Sequence, residues 1–368
     1  MSFTYVDDNT ALDHMAKCLS QTSVVALDTE FVRERTFYPQ VGLIQLNADG
    51  DVFLLDPLAV DATGVIAELL TEKTITKVLH SASEDLQVFE HYCRALPTPL
   101  IDTQIAAAFA GIGASLSYQA LVKQTIGNDI DKDQTRSNWV ARPLSDEQRR
   151  YSAQDVEFLL NVWDVLEPGI QSRGYIEWCL EEMRRVVEPD SAYQAQEACF
   201  MRVKGAARLP AKGQLLLREL TAWRERMARQ LDVPRSYIVR DPALLELVKR
   251  PPENKRDLTA RDAMHPSAVR KYGDALLDAF AAVPKPADHA ERLLPRIELS
   301  RRDSALVPAL QALVRSHSER LDLPVELLAR KRDLNDLLMR EQLDHTPLVL
   351  TGWRRTVIGE ALLEAVAA

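Results

Sequence analysis

The chain has 368 residues, a net charge of −9 and 46% hydrophobic residues, enough for two or three domains with sizeable cores. No apolar run reaches the ~18 residues of a membrane span, and the start, Met1-Ser2-Phe3-Thr4-Tyr5-Val6-Asp7-Asp8, lacks the basic-then-apolar order of a secretory leader. Cys18, Cys93, Cys179 and Cys199 form no Cys-x-x-Cys pair, which argues against a zinc ribbon or a disulfide framework and fits a reducing cytoplasm.

In chain order, residues 10–19 read as a helix, and 24–29, 41–47 and 51–56 as three strands. The Asp49-Gly50 turn joins the last two as a hairpin. The apolar run Val24-Val25-Ala26-Leu27 ends in Asp28, with Glu30 two residues on. Side chains i and i+2 of a strand share a face, so the two carboxylates stand ~7 Å apart at or near a strand end. That pair is costly unless it is solvated, paired or bound to a cation, and hard divalent cations take oxygen ligands. Residues 61–71 read as a helix and 76–80 as a short strand. A helix over 83–92 then carries Asp85 in its first turn, where it serves either as a cap or as a ligand. Leu100-Ile101 leads into Asp102 and an Ala-rich helix over 103–110, and 117–125 forms another. Residues 127–143 are polar and irregular, and include Lys132, Arg136, Trp139 and Arg142. Ser145 and Gln148 form a capping box that opens a helix over about 146–166. On it Tyr151 and Asp155 stand at i and i+4, on one face. Early strands with alternating or following helices predict an α/β or α+β domain over 1–200.

From about residue 205 the pattern is all-helical, with helices at 212–231, 241–249, 259–283, 303–321, 324–329 and 333–341. Pro251-Pro252 and Pro284–Pro286 separate them. Leu231-Asp232-Val233-Pro234 recurs as Leu321-Asp322-Leu323-Pro324, and Ile238, Leu244 and Leu247 recur in register as Leu328, Leu334 and Leu337. The recurrence predicts two similar helical modules. Charge divides unevenly. Residues 1–200 carry 15 basic and 31 acidic side chains, and 201–250 carry 12 and 5. An acidic half beside a basic segment suggests cation-dependent chemistry in one and binding in the other.

Asp28-Thr29-Glu30-Phe31 with Arg35-Thr36-Phe37-Tyr38-Pro39 and Leu43-Ile44-Gln45-Leu46, then His80-Ser81-Ala82-Ser83-Glu84-Asp85-Leu86, then Trp139, Arg142-Pro143-Leu144-Ser145 and Tyr151–Asp155 make four separated acidic positions in one order. This set resembles the DEDD exonucleases, in the branch whose third motif is Tyr-x-x-x-Asp, and most closely the ribonuclease D family. The helical modules resemble HRDC domains. Trp223-Arg224 and Pro234 carry that likeness in the first module, and Leu313 replaces the tryptophan in the second. The resemblance implies an α/β ribonuclease H-like exonuclease domain with a mixed sheet over 1–200, a first HRDC domain over 208–288, and a second, divergent one over 295–368.

It also implies a cytoplasmic, monomeric hydrolase with no membrane contact. The hydrolase so implied would be a 3′→5′ exoribonuclease that trims RNA 3′ ends, especially of tRNA precursors, and releases nucleoside monophosphates. Two divalent metal ions, Mg²⁺ or Mn²⁺, would sit on Asp28, Glu30, Asp85 and Asp155. Asp28, Glu30 and Asp155 would hold the water-activating ion. Asp28 would bridge to the second, held by Asp85, and Tyr151 would orient the attacking water. A phenol near pKa 10 is a poor base, so positioning is the role assigned to it. Phe31, Gln45, Lys132, Arg142 and Arg224 are candidate substrate contacts, and Arg218, Arg226 and Arg229 offer further backbone grip. Two alternatives are a DNA-directed exonuclease and an inactive exonuclease-fold RNA-binding protein. The second is disfavoured because no acidic motif residue is missing. His80 reads as structural.

Overall fold

The computed structural model describes residues 2–130, 137–188, 196–260, 264–283, 293–294, 299–343 and 345–368. The chain forms two units. The first comprises Met1–Val32, Pro39–Glu188 and Leu299–Ala368; the second comprises Arg33–Tyr38 and Pro189–Glu298.

Unit one is built on β1 (Thr4–Val6), β2 (Val24–Val32), β3 (Gln40–Ala48), β4 (Asp51–Leu55), β5 (Thr76–Leu79) and β6 (Leu100–Asp102). They form one mixed sheet in the order β1-β4-β3-β2-β5-β6. The β2–β3–β4 meander is antiparallel, and β1, β5 and β6 join in parallel. Strand alternation sorts the core into two layers. Val25, Leu27, Ile44, Leu46 and Phe53 pack on α1 (Asn9–Leu19), α2 (Thr63–Thr71) and α3 (Ser83–Cys93). Ala26, Leu43, Leu54 and Val78 pack on α4 (Thr103–Phe109), α5 (Tyr118–Ile126), α6 (Asp146–Glu157), α7 (Leu159–Ser172) and α8 (Ile176–Val187).

One irregularity matters later. Glu30 pairs with Leu43 and Phe31 with Val41, so Gly42 is an extra residue in β3, a β-bulge beside Glu30. The Trp139 carbonyl approaches Gly42 so closely that a Cβ there would lie 2.3 Å from its oxygen.

In unit two, α9 (Ala211–Leu231), α10 (Arg235–Ile238), α11 (Asp241–Lys249), α12 (Lys255–Ala260) and α13 (Pro266–Ala282) enclose Leu217, Leu220, Trp223, Leu244, Leu247 and Leu276. Residues 299–368 repeat its start with α14 (Arg301–Leu321), α15 (Val325–Leu328) and α16 (Lys331–Leu338), then add α17 (Gly352–Arg354) and α18 (Glu360–Ala367). The recurring Leu-Asp-x-Pro has one backbone shape in both places. Asp232 and Asp322 cap α9 and α14 in the left-handed conformation, at φ 47° and 49°, and each proline leads into a four-residue helix. The second module shares the core of unit one. Trp353 stacks on Trp178 at 5.0 Å, and Arg354 forms a buried ion pair with Glu182.

Two expected helices are divided. The predicted 146–166 helix breaks at Phe158. The predicted 259–283 helix appears as α12 and α13, on either side of undescribed residues. Strands β1 and β6 and helices α8, α10, α17 and α18 were not anticipated. Among the described residues no helix is long and apolar enough to cross a membrane.

Candidate active site

Ala26, Asp28 and Glu30 alternate onto the sheet face that carries α4–α8, and Leu27 and Thr29 onto the other. On the first face the α6 helix, opened by the Ser145–Gln148 capping box, brings Asp155 over β2. One carboxylate oxygen from each of Asp28, Glu30 and Asp155 lies within 4.8 Å of the others, and all three residues are half-buried. Tyr151, one turn earlier and also half-buried, feels all three charges.

Asp85 arrives from α3. The turn into that helix is fixed by Asp102, which accepts the Ser81 and Ala82 N–H groups at 3.0 Å each. Asp85 is 7% exposed and accepts a hydrogen bond from the Thr29 hydroxyl. Thr29 therefore links the two carboxylates of β2 to the helix on the opposite face.

Crowding four acids in a buried place holds protons on them. Asp28 is raised well above the usual carboxylate range by burial, then by Asp85, Asp155 and Glu30. Glu30 is raised to about 9 by burial and by Asp155 and Asp85. Burial raises Asp155 to about 7. Asp85 also reaches about 7 through burial, against the lowering effect of the Thr29 bond. Burial and the same carboxylates push the Tyr151 phenol up, so it stays protonated at neutral pH. An all-oxygen cluster whose carboxylates repel one another this strongly when ionised fits hard divalent cations, which relieve that repulsion.

The other sequence candidates fall elsewhere. Phe31 is half-buried just past the bulge. Gln45 pairs across the strand with Asp28 but is fully buried, so it touches substrate only if the core opens. Lys132 lies outside the described residues.

Arg142, a candidate substrate contact, is engaged as an internal clamp. Its guanidinium donates to both Asp56 oxygens at 2.6 Å each, to Gly42 O at 2.6 Å, and to the Trp139 and Ala141 carbonyls at 2.8 and 2.9 Å. Those five bonds use all five of its donors. Asp56 also accepts from the Tyr5 hydroxyl and the Leu58 N–H, and its carboxyl is held below the usual range by Arg142 and Tyr5 despite burial.

Arg224 is also engaged internally. It is 5% exposed in unit two, donates to Val239 O and pairs with Asp241 at 2.7 Å, because a buried guanidinium needs such partners. Arg218 pairs with Glu219 and Arg229 with Glu225, while Arg226 is exposed. His80 is structural in its bonding, to Thr103 Oγ1 at 2.9 Å and Leu116 O at 3.1 Å.

Sequence reasoning passed over Thr29, Asn47, Asp56 and Tyr118. The first three carried a signal, as polar residues inside or ending otherwise apolar strands. Tyr118 carried none.

Known proteins narrow what this geometry does. The family described as 3′-5′ exonuclease matches residues 3–171, the HRDC domain 214–280, and the ribonuclease D C-terminal HRDC domain 305–362. Ribonuclease D of Pseudomonas paraeruginosa is 37% identical over 367 residues, covering 98% of this chain and 97% of that one. The chain belongs to the ribonuclease D family. It is a 3′-5′ exoribonuclease, and its exonuclease domain works with divalent metal ions. The Escherichia coli ribonuclease D is 33% identical, covering 98% of each chain. A crystal structure of E. coli RNase D, described as an exoribonuclease involved in structured RNA processing, superposes with a TM-score of 0.91 at 31% identity, covering 100% of this chain and 99% of that one. The catalytic core of RRP6 from Trypanosoma brucei shares the fold at 22% identity, with a TM-score of 0.60 over 77% of this chain and 79% of that one. The ribonuclease D family thus accounts for the mixed sheet, the acidic cluster and both helical modules together.

Proposed function

We propose that this ribonuclease D family member trims the 3′ ends of structured RNA, tRNA precursors above all, and releases nucleoside 5′-monophosphates. The observation that carries the reading is the meeting of Asp28, Glu30 and Asp155 within 4.8 Å. Asp28, Glu30 and Asp155 would hold one ion, and Asp85 with Asp28 a second, as Mg²⁺ or Mn²⁺. Bound there, such ions supply charge stabilisation for the attacking and leaving oxygens. Tyr151 keeps its proton and orients the attacking water by hydrogen bonding, since a phenol raised by burial cannot act as a base. Phe31 is the candidate to stack on the terminal base.

We assign the chemistry to residues 1–200 and backbone grip to the modules at 208–288 and 295–368. Arg226 and Lys212, both exposed on α9, are suitable phosphate contacts. All the carboxylates come from one chain, which fits a monomer. The absence of disulfide bonds fits the cytoplasm.

Competition between labelled tRNA precursor and single-stranded DNA, with Mg²⁺ or with EDTA, tests the reading. RNA should be degraded from its 3′ end only with the metal. Activity that survives EDTA, Asp28→Ala or Asp155→Ala sinks the metal mechanism. DNA degraded as fast as RNA sinks the substrate.

A further inference from the structure

The helix that carries Tyr151 and Asp155 ends abruptly, and two side chains from elsewhere make it end there. A continuous α-helix would bond Phe158 N–H to Gln154 O. Here the Tyr118 hydroxyl stands between them. It accepts from Phe158 N at 3.2 Å and donates to Gln154 O at 3.2 Å. Insertion of a side chain into the ladder is a recognised cause of a sharp break. Phe158 accordingly departs from regular helix dihedrals while staying in the right-handed region, with φ −106° and ψ −2°. Asn47 binds two further carbonyls at the break. Its Nδ2 donates to Val156 O at 3.0 Å and Glu157 O at 3.2 Å, while its Oδ1 accepts from Gly50 N at 3.0 Å. Tyr118 is 8% exposed and Asn47 3%, so the four backbone groups at the break have these two side chains as partners where water has little access.

The break separates two packing demands. Beyond it, α7 buries Leu159, Val162, Trp163, Leu166 and Ile170. Before it, α6 buries Ser152, Ala153 and Val156 while Tyr151 and Asp155 stay half-buried beside Asp28 and Glu30. A straight helix through 146–172 would tie the orientation of Asp155 to the packing of α7. We infer that Tyr118 and Asn47 are positioning residues for the reaction: by holding the break one turn past Asp155, they set its carboxylate against Asp28 and Glu30. The inference rests on the reading that Asp155 is a catalytic ligand.

The experiment compares full-length wild type with Tyr118→Phe, Asn47→Ala and Asp155→Asn. It measures kcat and KM on a 3′-extended RNA, Mn²⁺ binding by calorimetry, and the melting temperature. Tyr118→Phe removes only the oxygen that diverts the ladder. Its kcat should fall about 10- to 100-fold, the scale of an ångström-level misplacement. KM should stay within about twofold and Mn²⁺ should bind several-fold more weakly, while the protein still melts cooperatively. Asn47→Ala should move kcat and Mn²⁺ binding the same way.

Wild-type kcat and Mn²⁺ affinity in both variants, a rise in KM alone, or a loss of activity that only tracks the loss of folded protein overturns the inference. Failure of both variants to fold overturns it too, by making the pair simply structural. Asp155→Asn separates the two levels. If it is inactive while Tyr118→Phe is normal, only the inference fails; if it is active, the reading beneath it fails as well.

Discussion

Glu30 holds its proton to about 9 in the folded chain, against 4.5 for an ordinary glutamate, and Asp85 and Asp155 to about 7 against 3.8. The metal-free fold therefore binds protons more tightly than the unfolded chain does. The stability this gives is complete below about pH 4 and is lost as pH rises through about 7 to 9. Divalent ions replace those protons. The rise in melting temperature produced by Mn²⁺ over EDTA should thus grow steadily from pH 5 to pH 9; a rise that is flat across that range would contradict the cluster.

Thr29 gives a second test. Thr29→Val removes the one hydroxyl bonded to Asp85 without changing shape. It should cost about 1–3 kcal/mol in urea unfolding and move the acid limb of the pH–rate profile upward, whereas Thr29→Ser should restore both. The four acids and Tyr151 were legible in the sequence because strand and helix periods place them together. The partner of Asp85 was not, since a threonine between two acids looks neutral until α3 is seen to approach from the opposite face.

Helix α6 is positioned at both ends by groups from the sheet. At its entrance, Arg142 binds Asp56 and Gly42 O and lays Trp139 against the bulge, and the Trp139 ring lies 6.2 Å from that of Tyr151. The Tyr5 ring, under Asp56, takes Arg149 of α6 at 4.6 Å. Arg142→Gln should cost about 2–3 kcal/mol, the scale of hydrogen bonds to a charged group, and should lower kcat without raising KM. A raised KM would return Arg142 to the substrate. Gly42→Ala must push the Trp139 carbonyl away and should impair activity at least as much. Strands β2 to β5, the capping box and the two Leu-Asp-x-Pro modules could all be read from local pattern. The break at Phe158 could not, because its cause, Tyr118, is forty residues away in sequence. Strands β1 and β6 were missed for a different reason: three residues are too few to show a period.

Across the whole molecule, negative charge lies in the catalytic half and positive charge in residues 201–250. RNA affinity should then fall log-linearly with salt, and Arg226→Glu should flatten that slope while leaving kcat at saturating RNA unchanged; fluorescence anisotropy across a salt series measures it. Composition showed this division, but not that the second module shares its core with the sheet domain. That fact depends on which apolar faces meet, as Trp353 does with Trp178 and Phe109. Unit one is thus written in the chain as three segments, the last of them separated from the others by more than a hundred residues. A ribosome makes the sheet well before Trp353, which covers Trp178. At about 5–20 residues per second, the sheet domain waits roughly 10–40 s with that surface uncovered. The nuclease core is therefore completed only after residues 299–368 have been made, when their helices close over the core that the earlier strands began.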